Sequence, residues 1–135
     1  MTFVSHKGAT VYGVAGYKNH LIILCTDPIF WPKTGCKAVL SVNVSSWREN
    51  SKASDSSCIL DVGDHSFIKH KSFVYYEAAV PLRLPHLNQR VEDGELIPYE
   101  DLRPEVLDRI LKGFYKSERT PRQALVFLKQ AQSEE

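Results

Sequence analysis

One stretch of the chain concentrates groups that can move protons and hold charge. Asp61-Val62-Gly63-Asp64-His65-Ser66-Phe67-Ile68-Lys69-His70-Lys71-Ser72-Phe73-Val74-Tyr75-Tyr76 places two histidines, two lysines, two serines and two tyrosines within sixteen residues. Histidine suits proton transfer because its pKa lies close to neutral pH. A lysine or arginine cation stabilises oxygens that gain charge in a transition state. A third histidine, His20, opens the most apolar segment of the chain, and Arg48 follows Ser45-Ser46-Trp47.

Three chemistries draw on such groups. Metal binding could use His65 and His70 with Asp61 or Asp64. However, H-x4-H in a loop matches no common zinc spacing, and Cys25, Cys36 and Cys58 contain no C-x-x-C pair. No metal and no other cofactor is therefore expected. Nucleophilic catalysis would need an activated cysteine or serine. Cys25 and Cys58 lie in apolar segments, where a thiol behaves as a small hydrophobe, and Ser72 stands in no G-x-S-x-G turn. Metal-free cleavage of RNA needs a base for the 2′-hydroxyl proton, an acid for the leaving oxygen and a cation for the phosphorane. His20, His65, His70, Lys69, Lys71 and Arg48 supply those types. Tyr75, Tyr76, Trp31 and Trp47 could stack unpaired bases, the form in which RNA is usually read.

Each of these residues also has a structural reading. Tyr75 and Tyr76 alternate faces on a strand, so one of them belongs to the core, as do Phe67, Ile68, Phe73 and Val74. Trp31 and Trp47 could cover the end of a barrel. His70 between two lysines reads equally as a solvated cationic turn, and His20 as the donor of a backbone hydrogen bond. His65 in Gly-Asp-His is the histidine hardest to explain structurally.

The elements that must position these groups are short strands. Up to about residue 90, runs rich in Val, Ile, Tyr and Phe alternate with Gly, Pro, Asn and Ser. Strands are predicted over Thr10–Val14 (flanked by Gly8, Gly13 and Gly16), His20–Thr26, Lys37–Ser45, Cys58–Val62 and Ser72–Pro81. The second is expected to be buried on both faces, and Asp27-Pro28 ends it. Leu82–Leu87 could extend the last strand, although Pro81 and Pro85 point to an edge or a loop. Such strands suggest a small, strongly bent sheet or barrel.

After residue 98 the period becomes helical. Leu102, Val106, Leu107, Ile110, Leu111 and Phe114 form one apolar stripe, with Pro104 in the first turn and Gly113 weakening the last. A second helix is predicted from Thr120-Pro121-Arg122-Gln123, with Thr120 and Gln123 as a capping box. Strands first and helices last make an α+β fold: one domain over 1–135, with the barrel over 1–98 and a helical extension over 99–135.

Length and charge bound the function classes. The 135 residues suit one domain, 43% are apolar, and the net charge of +1 excludes a protein that coats nucleic acid by charge alone. Residues 1–90 carry ten Lys/Arg against six Asp/Glu, and 91–135 carry seven against ten, so +4 and −3 sum to that +1. The strand-rich part could face a polyanion. With no apolar run long enough for a bilayer and no leader pattern, a cytoplasmic protein without membrane contact is expected.

The order of segments resembles the PemK/MazF-type toxin ribonucleases. The likeness rests on His20-Leu21, on Val42-Asn43-Val44-Ser45, and on a Gly-Asp-His-x-Phe-Ile-x-His-x-Ser-x-Val-x-Tyr block from Gly63 to Tyr76. That block is most similar to an uncharacterised subgroup, and the likeness covers roughly residues 10–80. It implies an SH3-like barrel, usually homodimeric, that cleaves single-stranded RNA without a metal and meets an antitoxin protein. Ser45 stands where the toxins place a threonine, and Ser72 resembles their serine before the later strand. Asn19 and His20 stand where the toxins carry arginine and proline. His65 and His20 are therefore expected as the acid–base pair, with Lys69 or Arg48 on the phosphorane and Ser45 and Ser72 on phosphate oxygens. His70, Lys71, Tyr75 and Trp47 are expected to bind substrate. The alternative is a non-catalytic protein- or RNA-binding module of a mobile-element or phage-conflict system.

Overall fold

The computed structural model describes residues 3–13 and 20–135. Val14, Gly16 and Asn19, which entered the readings of the first strand and of the toxin arginine's place, lie outside the described residues. The chain forms β1 (Thr10–Gly13), β2 (Leu21–Leu24), β3 (Ile29–Trp31), β4 (Cys36–Ser46), β5 (Ile59–Leu60), β6 (Ser72–Arg83), α1 (Leu84–Glu92), β7 (Leu96–Tyr99), α2 (Pro104–Lys116) and α3 (Arg122–Ser133). This is an α+β fold. Its sheet is a strongly curled half-barrel of antiparallel strands in the order β5-β6-β4-β2-β1-β7, with β3 paired to the first part of β4.

The alternation of side chains along β2 and β4 divides the core. Leu21, Ile23, Val42 and Val44 share a cluster with Val74, Tyr76 and the apolar stripes of α2 and α3. Leu24 and Val39 turn the other way, against Val11, Leu96 and Leu87 of α1, with Ile22 beside them. The predicted burial of the second strand on both faces is therefore observed. Curling is concentrated opposite Val42. There the ladder passes from Ser41↔Val80 to Asn43↔Tyr75, so β6 carries extra residues against β4 and bends.

Tyr76 ties the sheet to α2. Its hydroxyl donates to the Ile110 carbonyl (2.7 Å), and its ring meets Phe114 edge-on at 4.8 Å. A methyl group at Gly113 would overlap the Tyr76 hydroxyl, so the glycine that weakens the helix as a former is required by this approach. Trp31, fully inside, meets Phe127 of α3 at 4.9 Å. Tyr76 and Trp31 are core residues, not base-stacking ones.

Several expectations need correction. Strands do not all precede helices, because α1 and β7 follow β6. The chain continues as a strand through Pro81 to Arg83. β5 pairs only with Ser72 and Phe73, which leaves the Pro81 stretch an open side where no N–H is needed. Pro85 then stands in the first turn of α1, where its fixed φ is tolerated. β3 and β7 were not expected. β5 is shorter than 58–62 because the Asp64 carboxylate takes the Asp61 N–H (2.8 Å) and turns the chain. The capping box at Thr120 does not form. Thr120 donates instead to the Phe114 carbonyl (2.9 Å), closing the corner between α2 and α3, and α3 begins after Pro121 without a side-chain cap.

Candidate functional site

The segment joining β5 to β6, residues 61–71, is fastened at its first half. Asp64 accepts a salt bridge from Arg109 of α2 (2.8 Å), and Arg103 donates to the Gly63 carbonyl (2.7 Å). Gly63 makes the turn at φ 101°, where a side chain would be strained. His65 follows, only 4% exposed. Its Nε2 donates to the Glu100 carbonyl (2.9 Å), beside the Thr10 hydroxyl, which donates to the same oxygen (2.7 Å). Its Nδ1 accepts the Phe67 N–H (3.0 Å). Both ring nitrogens are therefore spent on holding the loop against β1 and the segment after β7. This assigns the neutral tautomer with hydrogen on Nε2. His65 is a strut, and it does not line the cleft described next.

Beyond that strut the loop turns over the sheet end where β2 begins, β4 ends and β6 begins. A cleft of about 520 Å³ opens there, lined by His20, Ser45, Ser46, Arg48, Lys69, His70, Ser72, Phe73 and Tyr75, with Ser51, Ser54, Phe67 and three further apolar or small residues. The apolar and small members are Val44, Ala53 and Ile68, and the backbone of the Arg48–Ser54 turn completes the wall. No carboxylate is among the lining residues. Neither Arg48 nor Lys69 pairs with an acid among the described residues. An uncompensated cationic cleft rich in hydroxyls favours an anion.

The imidazoles in this cleft are available in a way that His65 is not. Continuing the β2–β4 register from Ile22↔Asn43 sets His20 opposite Ser45. His20 Nδ1 donates to the Val44 carbonyl (3.3 Å), which leaves Nε2 as a lone pair without a partner among the described residues. That is the form of a general base. His70, exposed, meets the Ser46 hydroxyl through Nε2 at 2.7 Å. Ser46 was not singled out from the sequence, yet it fixes the His70 ring.

The remaining candidates divide. Ser45 lines the cleft with no hydrogen-bond partner among the described residues. Ser72 is buried and donates its hydroxyl to the His70 carbonyl (2.9 Å), so its proton holds the loop and is not free for a phosphate oxygen. Tyr75 enters the cleft while its hydroxyl donates to Glu77 (2.9 Å), a bond that holds the phenol above its ordinary range. Trp47 and Lys71 lie outside the lining, with the Lys71 ammonium 4.6 Å from the Trp47 ring centre and that ring edge-on to Phe73 at 6.0 Å. Burial pushes the Cys25 and Cys58 thiols up, which removes them as nucleophiles. Among the described residues no three His, Cys, Asp or Glu side chains gather as a metal cluster, and no helix is long and apolar enough to cross a membrane.

The facing wall, residues 47–58, repeats the pattern of the first. Arg48, two residues past β4, lines the cleft, while Ser117 ties the segment to the α2–α3 corner by donating to the buried Asp55 carboxylate (2.6 Å). Burial alone would raise that carboxyl, but hydrogen bonds from Ser117 and Ser57, with the Arg119 charge, hold it below its ordinary value. Comparison of the chain with protein-family models, curated proteins and solved structures finds no match.

Proposed function

We propose that this protein cleaves single-stranded RNA without a metal, in the cleft between residues 47–58 and 61–71. The observation that carries the reading is the lining itself: His20, His70, Arg48, Lys69 and the unpartnered Ser45 hydroxyl around one opening, with no carboxylate. A phosphodiester is an anion that needs a cation as charge grows on it, and two groups that exchange protons with its neighbouring oxygens. The resemblance to PemK/MazF-type toxins points to the same reaction. It also implies a second copy and an antitoxin-like protein as partners in the cytoplasm.

His70 replaces His65 in the expected acid–base pair and serves as the acid, while His20 remains as the base. His20 Nε2 takes the 2′-hydroxyl proton as that oxygen attacks phosphorus. The P–O5′ bond breaks, and protonated His70 gives its proton to the leaving 5′-oxygen. The products are a 2′,3′-cyclic phosphate and a 5′-hydroxyl, and no water or metal enters the balance. Arg48 and Lys69 hold the phosphorane oxygens, and the Ser45 hydroxyl donates to one of them. Ser46 orients His70.

The test is incubation of the purified protein with a long single-stranded RNA in EDTA, with fragment ends mapped. Cleavage that leaves cyclic phosphates, and that falls in an Arg48→Ala, Lys69→Ala double variant, supports the reading. Intact RNA that is nonetheless retained by the protein would replace it with the non-catalytic binding module.

A further inference from the structure

One aromatic ring in the cleft carries a partner that the proposed reaction does not use. In the β4–β6 ladder Ser45 stands opposite Phe73, and Asn43 opposite Tyr75. Residues directly opposite share a face of the sheet, and so do residues two apart on one strand. His20, opposite Ser45 when the β2–β4 register is continued, belongs to the same face. Phe73 and Tyr75 therefore stand on the His20 side of the sheet, and both line the cleft. Phe73 is only 3% exposed and lies edge-on to Tyr75 at 5.9 Å, so it backs the tyrosine ring. Tyr75 is half-buried, and its ring is the one left open to the cleft.

Beyond Tyr75 the ladder loses its register. Ser41 pairs with Val80 and Asn43 with Tyr75, so residues 76–79 of β6 face the single residue Val42. A bulge of this kind re-aims side chains. Glu77, exposed and inside the bulge, accepts the Tyr75 hydroxyl proton on Oε2 (2.9 Å). Its Oε1 has no hydrogen-bond partner among the described residues, and no cation pairs with it there. Each carboxylate oxygen accepts at two positions, so Oε2 keeps one as well. Glu77 thus offers two adjacent acceptors at the edge of a ring that lines an anion-favouring cleft. Unpaired bases are read by stacking and by hydrogen bonds to their pairing edge. Uracil shows one N–H between two carbonyls on that edge, and adenine and cytosine show an amino group beside a bare nitrogen acceptor. Only guanine sets two donors, N1–H and N2–H, side by side, as a carboxylate accepts them in a bidentate pair.

We infer that Tyr75 stacks one base of the bound RNA strand and that the Glu77 carboxylate selects guanine at that position. Guanine N1–H and N2–H donate to the two carboxylate oxygens, while the Tyr75 hydroxyl holds the carboxylate in place. Uracil would turn a carbonyl toward the carboxylate and be repelled. Two residues along a strand span about 7 Å, so the Asn43–Tyr75 row lies one step from the His20–Ser45–Phe73 row. A base on Tyr75 therefore belongs to a nucleotide next to the phosphate in the cleft. This inference rests on the RNA reading of the cleft and adds base selection to it.

The experiment measures binding of four fluorescent RNA hexamers in EDTA, with 2′-methoxy groups to prevent turnover. One is all uridine, and the others carry a single guanosine, adenosine or cytidine among uridines. The full chain is compared with Glu77→Gln, Tyr75→Ala and Tyr75→Phe variants whose melting is checked first. The parent should bind the guanosine hexamer roughly 10-fold more tightly than each of the others, the worth of one bidentate contact. Glu77→Gln should bring that ratio close to one, because an amide offers one acceptor where the carboxylate offers two. Tyr75→Ala should weaken binding of the guanosine hexamer by roughly 10-fold through lost stacking. Tyr75→Phe should bind it better than Tyr75→Ala, because the ring is kept. Equal binding of all four hexamers by the parent, or preference for another base, overturns guanine selection and leaves the RNA reading standing. A preference unchanged in Glu77→Gln removes Glu77 from the inference, and Tyr75→Ala binding as well as the parent removes stacking. A parent that binds no hexamer overturns the inference and the RNA reading together.

Discussion

Gly63, Asp64 and His65 share one loop with Lys69 and His70, yet the polar atoms of the two groups find different partners. In the first group Arg103 holds the Gly63 carbonyl, Arg109 holds Asp64, and both nitrogens of His65 engage backbone. In the second group Lys69 has no ion pair among the described residues, and His70 has only a serine hydroxyl on one nitrogen. The facing wall divides in the same way, with Asp55 tied to Ser117 and the cleft-lining Arg48 without an ion pair among the described residues. The difference teaches that chemical type alone does not mark a catalytic group. A buried polar group must be satisfied by the protein, and once satisfied it is no longer free to act on a substrate. The anchored groups set the walls, and the unsatisfied ones face the cleft.

Breaking this contrast should have its largest effect on catalysis. His20→Ala and His70→Ala should each lower RNA cleavage by about 10² to 10⁴-fold, the usual worth of one acid or base, with little change in stability. His65→Ala should do the reverse on stability, costing about 2–3 kcal/mol because the Phe67 N–H and part of the Glu100 carbonyl's bonding are left unmatched in a buried site. Urea unfolding alongside a cleavage assay separates the two. A His65→Ala variant of unchanged stability would remove the strut from this account. So would a His70→Ala variant that unfolds as easily as His65→Ala.

A smaller effect sharpens the contrast in the facing wall. Ser117→Ala should cost about 1–2 kcal/mol at neutral pH, the worth of a hydrogen bond to a buried carboxylate. Because the folded Asp55 carboxyl is held below its ordinary value of 3.8, the stability it contributes is complete above that pH. It is lost as pH falls through the folded value. The difference in urea midpoint between parent and Asp55→Asn should therefore be largest near neutrality and narrow below about pH 4. A gap that widens on acidification would contradict the assignment.

The α+β class, the five main strands and the apolar stripe of α2 were legible in the residues. Burial of β2 on both faces could be read because an unbroken apolar run has no solvent face. The gathering of His20, Ser45, Arg48, Lys69 and His70 was legible as a list of types, since loops after strands carry such groups. What misled was His65. Gly-Asp-His looks like displayed chemistry because its partners, Glu100, Thr10, Arg103 and Arg109, lie 35 or more residues away and leave no local signal. Ser46, which fixes the His70 ring, was missed because it sits beside the more conspicuous Ser45.

The sequence by itself determined which residues alternate, which faces are apolar, and where cations, imidazoles and hydroxyls are available, because those are properties of neighbours along the chain. Which of those groups are spent and which are free was decided only by the tertiary structure. Hydrogen bonds between distant segments consume donors and acceptors that look alike in sequence, and the curl of the sheet brings the ends of β2, β4 and β6 to one opening. His65 and His70 are five residues apart and the same side chain. One holds the fold because a carbonyl from beyond β7 reaches it, and the other faces the cleft because none does.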